Sequence, residues 1–164
     1  LQGTIALLRD GFHEQSQGGT VELDGQGKPI LDYPLTDYLW QGLRKAHHVM
    51  AEAQFAAGAK KVMPLHHDAI FYRSLTACKA AIDSLPQELH RQRLMTAHLM
   101  GGCTMGEDMS QSVVNSQGRF HLADNLYVID GSVFPTSIGA NPQLSIYGLA
   151  LKQASQLASK IKQG

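Results

Sequence analysis

Residues 124–144 read DNLYVIDGSVFPTSIGANPQL, a pattern typical of a buried strand, a glycine-rich loop and the start of a helix. Leu126–Ile129 is a short apolar run of strand-forming residues bounded by Asp-Asn and Asp-Gly, which predicts the strand. Asn141 is a favourable N-cap residue and Pro142 suits the first helical position, so we expect the helix to begin there. A helix start in such a loop points free N–H groups and a positive dipole end outward, which predicts an anion site.

Three helices are predicted from apolar residues that recur at helical steps. The last follows the loop, and one face of it carries Leu144, Tyr147, Leu151, Ala154, Ala158 and Ile161. The first is expected to be capped by Thr36 and to end before Gly58 in the left-handed position; its apolar residues are Leu35, Leu39, Leu43, Ala46, Met50, Ala53 and Ala57. A shorter helix is expected to stop at Pro86 and carries Leu75, Cys78, Ile82 and Leu85.

Further strands are predicted upstream of this loop. Thr4–Leu8 and Arg93–Met100 are candidate strands, and the alternating residues near Val21 form a hairpin with Pro29–Tyr33 across a Gly-containing turn. Strands and helices are mixed without regular alternation, which predicts an α+β fold with helices packed on an antiparallel sheet. A length of 164 residues is expected to form a single domain, residues 1–164.

Composition limits the classes of partner. Fourteen basic and fourteen acidic residues cancel, so we expect neither nucleic acid nor an anionic membrane surface as a partner. No apolar run approaches the roughly 18 residues that span a bilayer, so no transmembrane segment is predicted. The chain begins at Leu1, without a signal peptide, and we expect it to be a piece of a longer protein. Cys78 and Cys103 are expected to be free thiols, which favours a soluble, cytoplasmic protein; one disulfide is left open.

His98 is a candidate proton acceptor, because it precedes a glycine-rich turn and histidine is the usual base toward an alcohol. The spacing by itself favours a structural, hydrogen-bonded histidine over a functional one. Its surroundings belong to a series of motifs in one order: AHLMGGCTMG (97–106), SVV (112–114), DNLYVIDGSVFPT (124–136), GANPQLSI (139–146) and AL (150–151). Together these motifs resemble the C-terminal part of the glucose–methanol–choline (GMC) oxidoreductases, in particular bacterial alcohol and sugar dehydrogenases and long-chain alcohol oxidases.

The resemblance implies an enzyme that uses FAD to oxidise a small-molecule alcohol, polyol or sugar. His98 matches the residue that accepts the hydroxyl proton while a hydride moves to flavin N5, and Asn141 matches the second catalytic position. The resemblance leaves open whether oxygen, a quinone or a cytochrome is the electron acceptor. The matching cofactor-binding positions are Asp130, Gly131, Asn141, Pro142, Gln143 and Leu144.

Two kinds of departure from the family stand out. Thr104, Met109 and Asn115 replace the Arg, Pro and Asp that are common in relatives, which bears on substrate and subgroup. The dinucleotide fingerprint G-x-G-x-x-G is absent from the sequence. We therefore expect the FAD-binding half to be an N-terminal partner segment of the same protein, and the 164 residues to bind little FAD alone. The alternative is an isolated, non-catalytic GMC C-terminal module that acts in folding or subunit interaction.

Other sites have weaker support in the sequence. His47 and His48 point about 100° apart on a helix and do not easily share a metal ion. His66–Asp68 is a better metal candidate, but a solvated loop or a substrate rim is the favoured interpretation, so no metal site is predicted. Cys103 with His98 would suggest a thiol hydrolase; the family motif instead gives this cysteine a packing role.

Overall fold

The computed structural model describes residues 1–163, which form two compact units. Unit 1 spans Leu1–Met95 and unit 2 spans Thr96–Gly164. The regular structure of the described residues consists of three α-helices, one two-stranded antiparallel sheet and a short 3-10 helix. The predicted α+β class is confirmed, and the single domain over residues 1–164 stays a prediction. No helix among the described residues is both long and apolar enough to cross a membrane.

The sheet of unit 1 is the predicted β-hairpin. Strand β1 (Thr20–Leu23) pairs with β2 (Pro29–Asp32), with Val21 opposite Leu31. The Asp24 carboxylate closes the turn, accepting hydrogen bonds of 2.8 Å from two backbone N–H groups, those of Gln26 and Lys28. All eight strand residues are exposed, so the sheet stands apart from the buried residues of the unit.

Two helices supply most of the unit 1 core. Helix α1 (Asp37–Ala56) packs against α2 (Leu75–Ser84), and both were predicted. Gly58 has φ +90°, which confirms the left-handed position after α1. Thr36 does occupy the N-cap of α1, although its side chain makes no capping hydrogen bond within the described residues. The buried core consists of Ala51, Val62, Cys78 and Ile82.

Three predicted strands, all within residues 1–163, are wrong. Thr4–Leu8, Arg93–Met100 and Leu126–Ile129 run without a regular ladder, and only isolated bridges such as Arg119 with Tyr127 involve them or their neighbours. Ile5 is 78% exposed, so its apolar run is not buried either. Strand propensity describes a side chain that fits a pleated surface, and it is not realised where no neighbouring strand completes the ladder.

Unit 2 is loop-rich and ends in α3 (Gln143–Gln163). Its fully buried apolar side chains are Val114 and Val133. The first helical hydrogen bond of α3 runs from the Ile146 N–H to the Pro142 carbonyl at 2.9 Å, so Pro142 is the N-cap and Gln143 the first helical residue. The prediction of Asn141 as N-cap and Pro142 as the first position is therefore wrong by one residue.

The face of α3 that packs on unit 2 differs from the apolar face seen in the sequence. Pro142 and Gln153 are buried, and Ile146 and Leu157 are half-buried. Gln153 donates to the Ser116 carbonyl, whereas its Oε1 is buried without a partner in the described residues. The residues of the predicted apolar face are largely exposed, among them Leu144, Tyr147, Leu151 and Ile161.

Candidate active site

The loop that follows His98 runs beside the loop that contains Gly131. His98 itself is half-buried. The N–H groups of Cys103 and Met105 donate to the carbonyls of Ser132 and Val133, at 3.0 and 2.9 Å. These two hydrogen bonds hold the loop that follows His98 against the loop that contains Gly131. The resemblance assigns functional residues to both of these loops.

Gly131 is the point at which three segments of unit 2 meet. A methyl group at this position would lie 3.0 Å from Cδ1 of Ile146 and 3.4 Å from the carbonyl oxygen of Leu99. The first contact is tighter than most side chains make, so an alanine here would require the end of the Ile146 side chain to shift by a few tenths of an ångström. The residue after His98, the glycine loop and the first turn of α3 are thereby held together.

Asp130 fixes the conformation of the glycine loop. Its carboxylate accepts hydrogen bonds from the Ser132 N–H, at 2.8 Å, and from the Ser132 hydroxyl. It thereby caps the 3-10 helix Gly131–Val133. Asp130 was predicted to lie along the cofactor, and in the structure its side chain shapes the loop that carries Gly131.

The start of α3 presents backbone donors to its surroundings. The N–H groups of Gln143, Leu144 and Ser145 precede the first helical bond and have no acceptor within the helix. The first turn carries no acidic residue and the last turn of the described helix carries Lys160 and Lys162, so only the C-terminal end of the dipole is balanced by charge. Such a donor set suits an electronegative edge of a ligand.

The side chains around this helix start have separate roles. Asn141 is exposed, whereas the adjacent Pro142 is buried and anchors the helix start. The amide of Gln143 donates to the Tyr147 hydroxyl at 2.6 Å and so lies along the helix. Leu144 is 83% exposed and belongs to the outer side of α3.

The predicted cofactor positions fit FAD through their backbone groups. Gly131 contributes its backbone, since Ile146 already fills the space on its side-chain side, and the turn 143–145 offers free N–H donors. Sequence analysis missed Ser132 and Ile146, which hold these groups in place. The Asp-Gly-Ser triplet could have identified Ser132, because an aspartate commonly bonds the backbone two residues later. The close contact of Ile146 with Gly131 has no comparable local signal.

Two histidines of unit 1 contribute to its internal structure, and a third is exposed. The His66 ring is fully buried; its Nδ1 accepts the Asp68 N–H at 3.0 Å and its Nε2 donates to the Pro86 carbonyl at 2.9 Å. Both ring nitrogens are thus used, so the solvated-loop interpretation is wrong for His66 and applies to His67, whose side chain is 77% exposed. His48 pairs with Asp83 of α2.

The remaining candidates from the sequence are a metal site and the two cysteines. Within residues 1–163 no group of three or more His, Cys, Asp or Glu residues is arranged to hold a metal ion. Cys78 and Cys103 are free thiols, as predicted. Burial raises the pKa of the Cys78 thiol, which keeps this cysteine protonated and unreactive.

Comparison with known proteins identifies the family. A family model described as GMC oxidoreductase matches residues 14–150, most of the chain. The chain belongs to the GMC oxidoreductase family. It is 33% identical over 145 residues to an uncharacterised GMC-type oxidoreductase of Sinorhizobium fredii, covering 87% of this chain and 28% of that protein. A long-chain-alcohol oxidase of Arabidopsis thaliana is 30% identical over 153 residues, 89% of this chain and 20% of the relative.

A further relative matches over a shorter stretch of the chain. A cholesterol oxidase of Acinetobacter baumannii is 42% identical over 65 residues, 40% of this chain and 12% of that protein. The chain spans just over a quarter of the length of the Sinorhizobium fredii relative and about a fifth of the length of the Arabidopsis thaliana relative. The family resemblance predicted from the motifs is confirmed.

Proposed function

We propose that this chain is the C-terminal, substrate-side segment of a longer FAD-dependent oxidoreductase that oxidises an alcohol, polyol or sugar. The observation that carries the proposal is the meeting of the His98 loop, Gly131 and the first turn of α3 in unit 2. Similarity to a long-chain-alcohol oxidase and, over the shorter segment, to a cholesterol oxidase supports a hydroxyl group as the site of oxidation.

His98 acts as the base toward the substrate. A neutral imidazole accepts the hydroxyl proton as the carbon–hydrogen bond breaks, a contribution of about 10²- to 10⁴-fold in rate. Asn141 carries a neutral amide and stays exposed on unit 2, where it donates a hydrogen bond to the substrate oxygen. The pair therefore divides proton transfer and substrate orientation between a histidine and an amide.

The same unit supplies one side of the cofactor site. FAD, when bound, supplies the acceptor for the hydride. Asp130, Gly131, Asn141, Pro142, Gln143 and Leu144 would hold it, chiefly through backbone groups. The free N–H donors at the start of α3 favour negative charge beside them by about 0.3 to 2 kcal/mol, depending on burial. These donors would stabilise the reduced cofactor relative to the oxidised one.

The first experiment compares two chain lengths. The full-length gene product and the 164-residue chain are purified, and their flavin absorption and alcohol-dependent reduction of a dye acceptor are measured. We expect bound flavin and activity in the full-length protein and neither in the shorter chain. Stoichiometric flavin on the 164 residues would contradict the division of the cofactor site. A full-length protein without alcohol oxidation would favour the rival function, a non-catalytic module in folding or subunit interaction.

A further inference from the structure

The hydroxyl group of Ser112 joins a backbone turn of unit 2 to a histidine. Ser112 Oγ lies 3.0 Å from the carbonyl oxygen of Gly106 and 2.7 Å from that of Asp108, and it lies 2.9 Å from Nε2 of His121. Both side chains are half-buried. This Ser112–His121 pair therefore connects Gly106, the last residue of the motif that contains His98, to a segment further along the chain.

The hydrogen bonds of the Ser112–His121 pair run in one direction. A serine hydroxyl carries a single hydrogen, and its oxygen can accept from other donors. If the ring of His121 accepted that hydrogen, both backbone carbonyls would lose it. The network therefore assigns a hydrogen to Nε2 of His121, which donates to Ser112 Oγ, while Ser112 donates to the carbonyls of the turn. A serine held in this way is not an activated nucleophile, so the pair has a positioning role and not a covalent one.

The two carboxylates of the same turn are engaged by other donors. The Glu107 carboxylate accepts the Ser116 N–H at 3.1 Å. The Asp108 carboxylate accepts the N–H and the hydroxyl group of Ser110, at 2.9 and 2.7 Å. The serine hydroxyl is thus the group that Nε2 of His121 reaches, and the carboxylates fix their own neighbouring segments.

The turn fixed by the Ser112–His121 pair adjoins the candidate active site. The segment 103–106 lies between two others: on one side its N–H groups donate to the loop of Gly131, as described above. On the other side the Thr104 carbonyl accepts the Val113 N–H at 2.8 Å. The turn that carries the hydroxyl contacts joins this middle segment to the third one. Fixing the turn therefore fixes the position of the middle segment against the glycine loop.

We propose that Ser112 and His121 are positioning residues for the oxidation, because they hold the His98 loop in register with the loop of Gly131. This inference rests on the proposed function. A misplacement of about 1 Å between reacting groups can slow a reaction by about 10²-fold. Loss of the pair is therefore expected to slow the reduction of the flavin by about 10- to 10²-fold. The apparent dissociation constant of the alcohol is expected to stay near that of the wild type, since neither residue is among the predicted substrate or cofactor positions.

The first experiment measures flavin reduction by stopped flow in the full-length protein, with dodecan-1-ol or cholesterol as the alcohol. His121→Phe keeps a ring without the donor, whereas His121→Gln keeps an N–H group that can replace Nε2. Ser112→Ala removes the hydroxyl, and its control is Ser110→Ala, which removes an exposed hydroxyl of the same turn that bonds the Asp108 carboxylate. We expect slower reduction in Ser112→Ala and His121→Phe, and the wild-type rate in His121→Gln and Ser110→Ala. Equal rates in His121→Phe and the wild type would overturn the proposal, as would equally slow reduction in both His121 variants.

The second experiment needs no flavin. In the 164-residue chain, amide hydrogen exchange is followed at Met105, whose N–H donates to the Val133 carbonyl across the two loops. Ser112→Ala and His121→Phe are expected to speed this exchange, and Ser110→Ala is expected to leave it unchanged. Faster exchange in a protein whose full-length form reduces no flavin with either alcohol would support the positioning role and contradict the proposed function. Unchanged exchange in both variants would overturn the positioning role and leave the proposed function in place.

Discussion

Helices α1 and α3 are of nearly equal length, 20 and 21 residues, and their apolar faces differ in how far they are buried. The side of α1 that carries the buried Ala51 packs against α2 around the core of unit 1, whereas the predicted apolar row with Leu39, Leu43 and Met50 is half-buried. The apolar row of α3 stays exposed, and the helix packs on unit 2 through a neighbouring face with a buried glutamine, Gln153. An apolar period thus predicts that a helix has a face to bury, and it does not say whether the partner of that face lies in the same segment of chain.

The largest difference between the two helices is expected in stability. Ile82→Ala removes a side chain that is 3% exposed, so we expect a loss of about 2–5 kcal/mol in the free energy of unfolding of unit 1. Leu151→Ala in the 164-residue chain is expected to stay within about 0.5 kcal/mol. Urea unfolding checks both, with Trp40, the only tryptophan, reporting on unit 1 and far-UV circular dichroism on the whole chain. Similar losses for both variants would mean that α3 is already packed along its apolar row.

Two glycines sharpen the contrast within unit 2. Gly118 has φ +79°, and a methyl group there would lie 2.7 Å from the Val128 carbonyl oxygen. We expect Gly118→Ala to destabilise the unit by roughly 1–3 kcal/mol. Gly148 lies in α3 with open space around it, so Gly148→Ala is expected to stabilise the helix by about 0.5–1 kcal/mol. Thermal unfolding of the 164-residue chain measures both, and shifts of the same sign would contradict the placement of one of these glycines.

A smaller effect is expected from pH, and it should separate the two units. Burial lowers the pKa of His47 on α1, and repulsion from the neighbouring His66 and His48 rings, where these carry charge, lowers it further. Folding therefore favours the neutral ring, so the stability of unit 1 is complete above the unfolded pKa of about 6.5 and falls as the pH drops below it. We expect Trp40 fluorescence to show earlier urea unfolding at pH 5.5 than at pH 7.5.

Two controls accompany this measurement of stability against pH: a variant of His47 and the behaviour of unit 2. His47→Gln should flatten the dependence between pH 7.5 and 5.5. In unit 2, hydrogen bonds from Ser116 and Ser110 lower the pKa values of Glu107 and Asp108. Their contribution is present above the ordinary carboxylate pKa of about 4 and is lost only as the pH falls below it. A loss of stability in both units near pH 6 would contradict the assignment of the pH effect to His47.

The sequence predicted the local elements of this fold better than their pairing. The hairpin, α1 with its Gly58 end, α2 and α3 follow from turn residues and apolar periods, and α3 begins one residue later than predicted. The strand predicted at Leu126–Ile129 does not form. A strand needs a neighbouring strand that accepts its hydrogen bonds, and the local sequence does not identify that neighbour.

The candidate site shows the same division. The motifs around His98 and Asn141 predicted the family, which comparison with known proteins confirmed. The contact that joins their segments, Ile146 against Gly131 beside the Leu99 carbonyl, depends on distant parts of the chain approaching each other. Side-chain burial of His66 was likewise not predictable, because both of its hydrogen-bond partners are backbone groups of irregular segments.

The most direct test of the account is the rate at which alcohol reduces the bound flavin in the full-length protein. His98→Ala is compared with the wild type and with His67→Ala, a histidine removed from an exposed loop of unit 1. We expect His98→Ala to retain its flavin and to slow the reduction by about 10²- to 10⁴-fold, whereas His67→Ala matches the wild type. Equal rates of flavin reduction in His98→Ala and the wild type would contradict the assignment of His98 as the base.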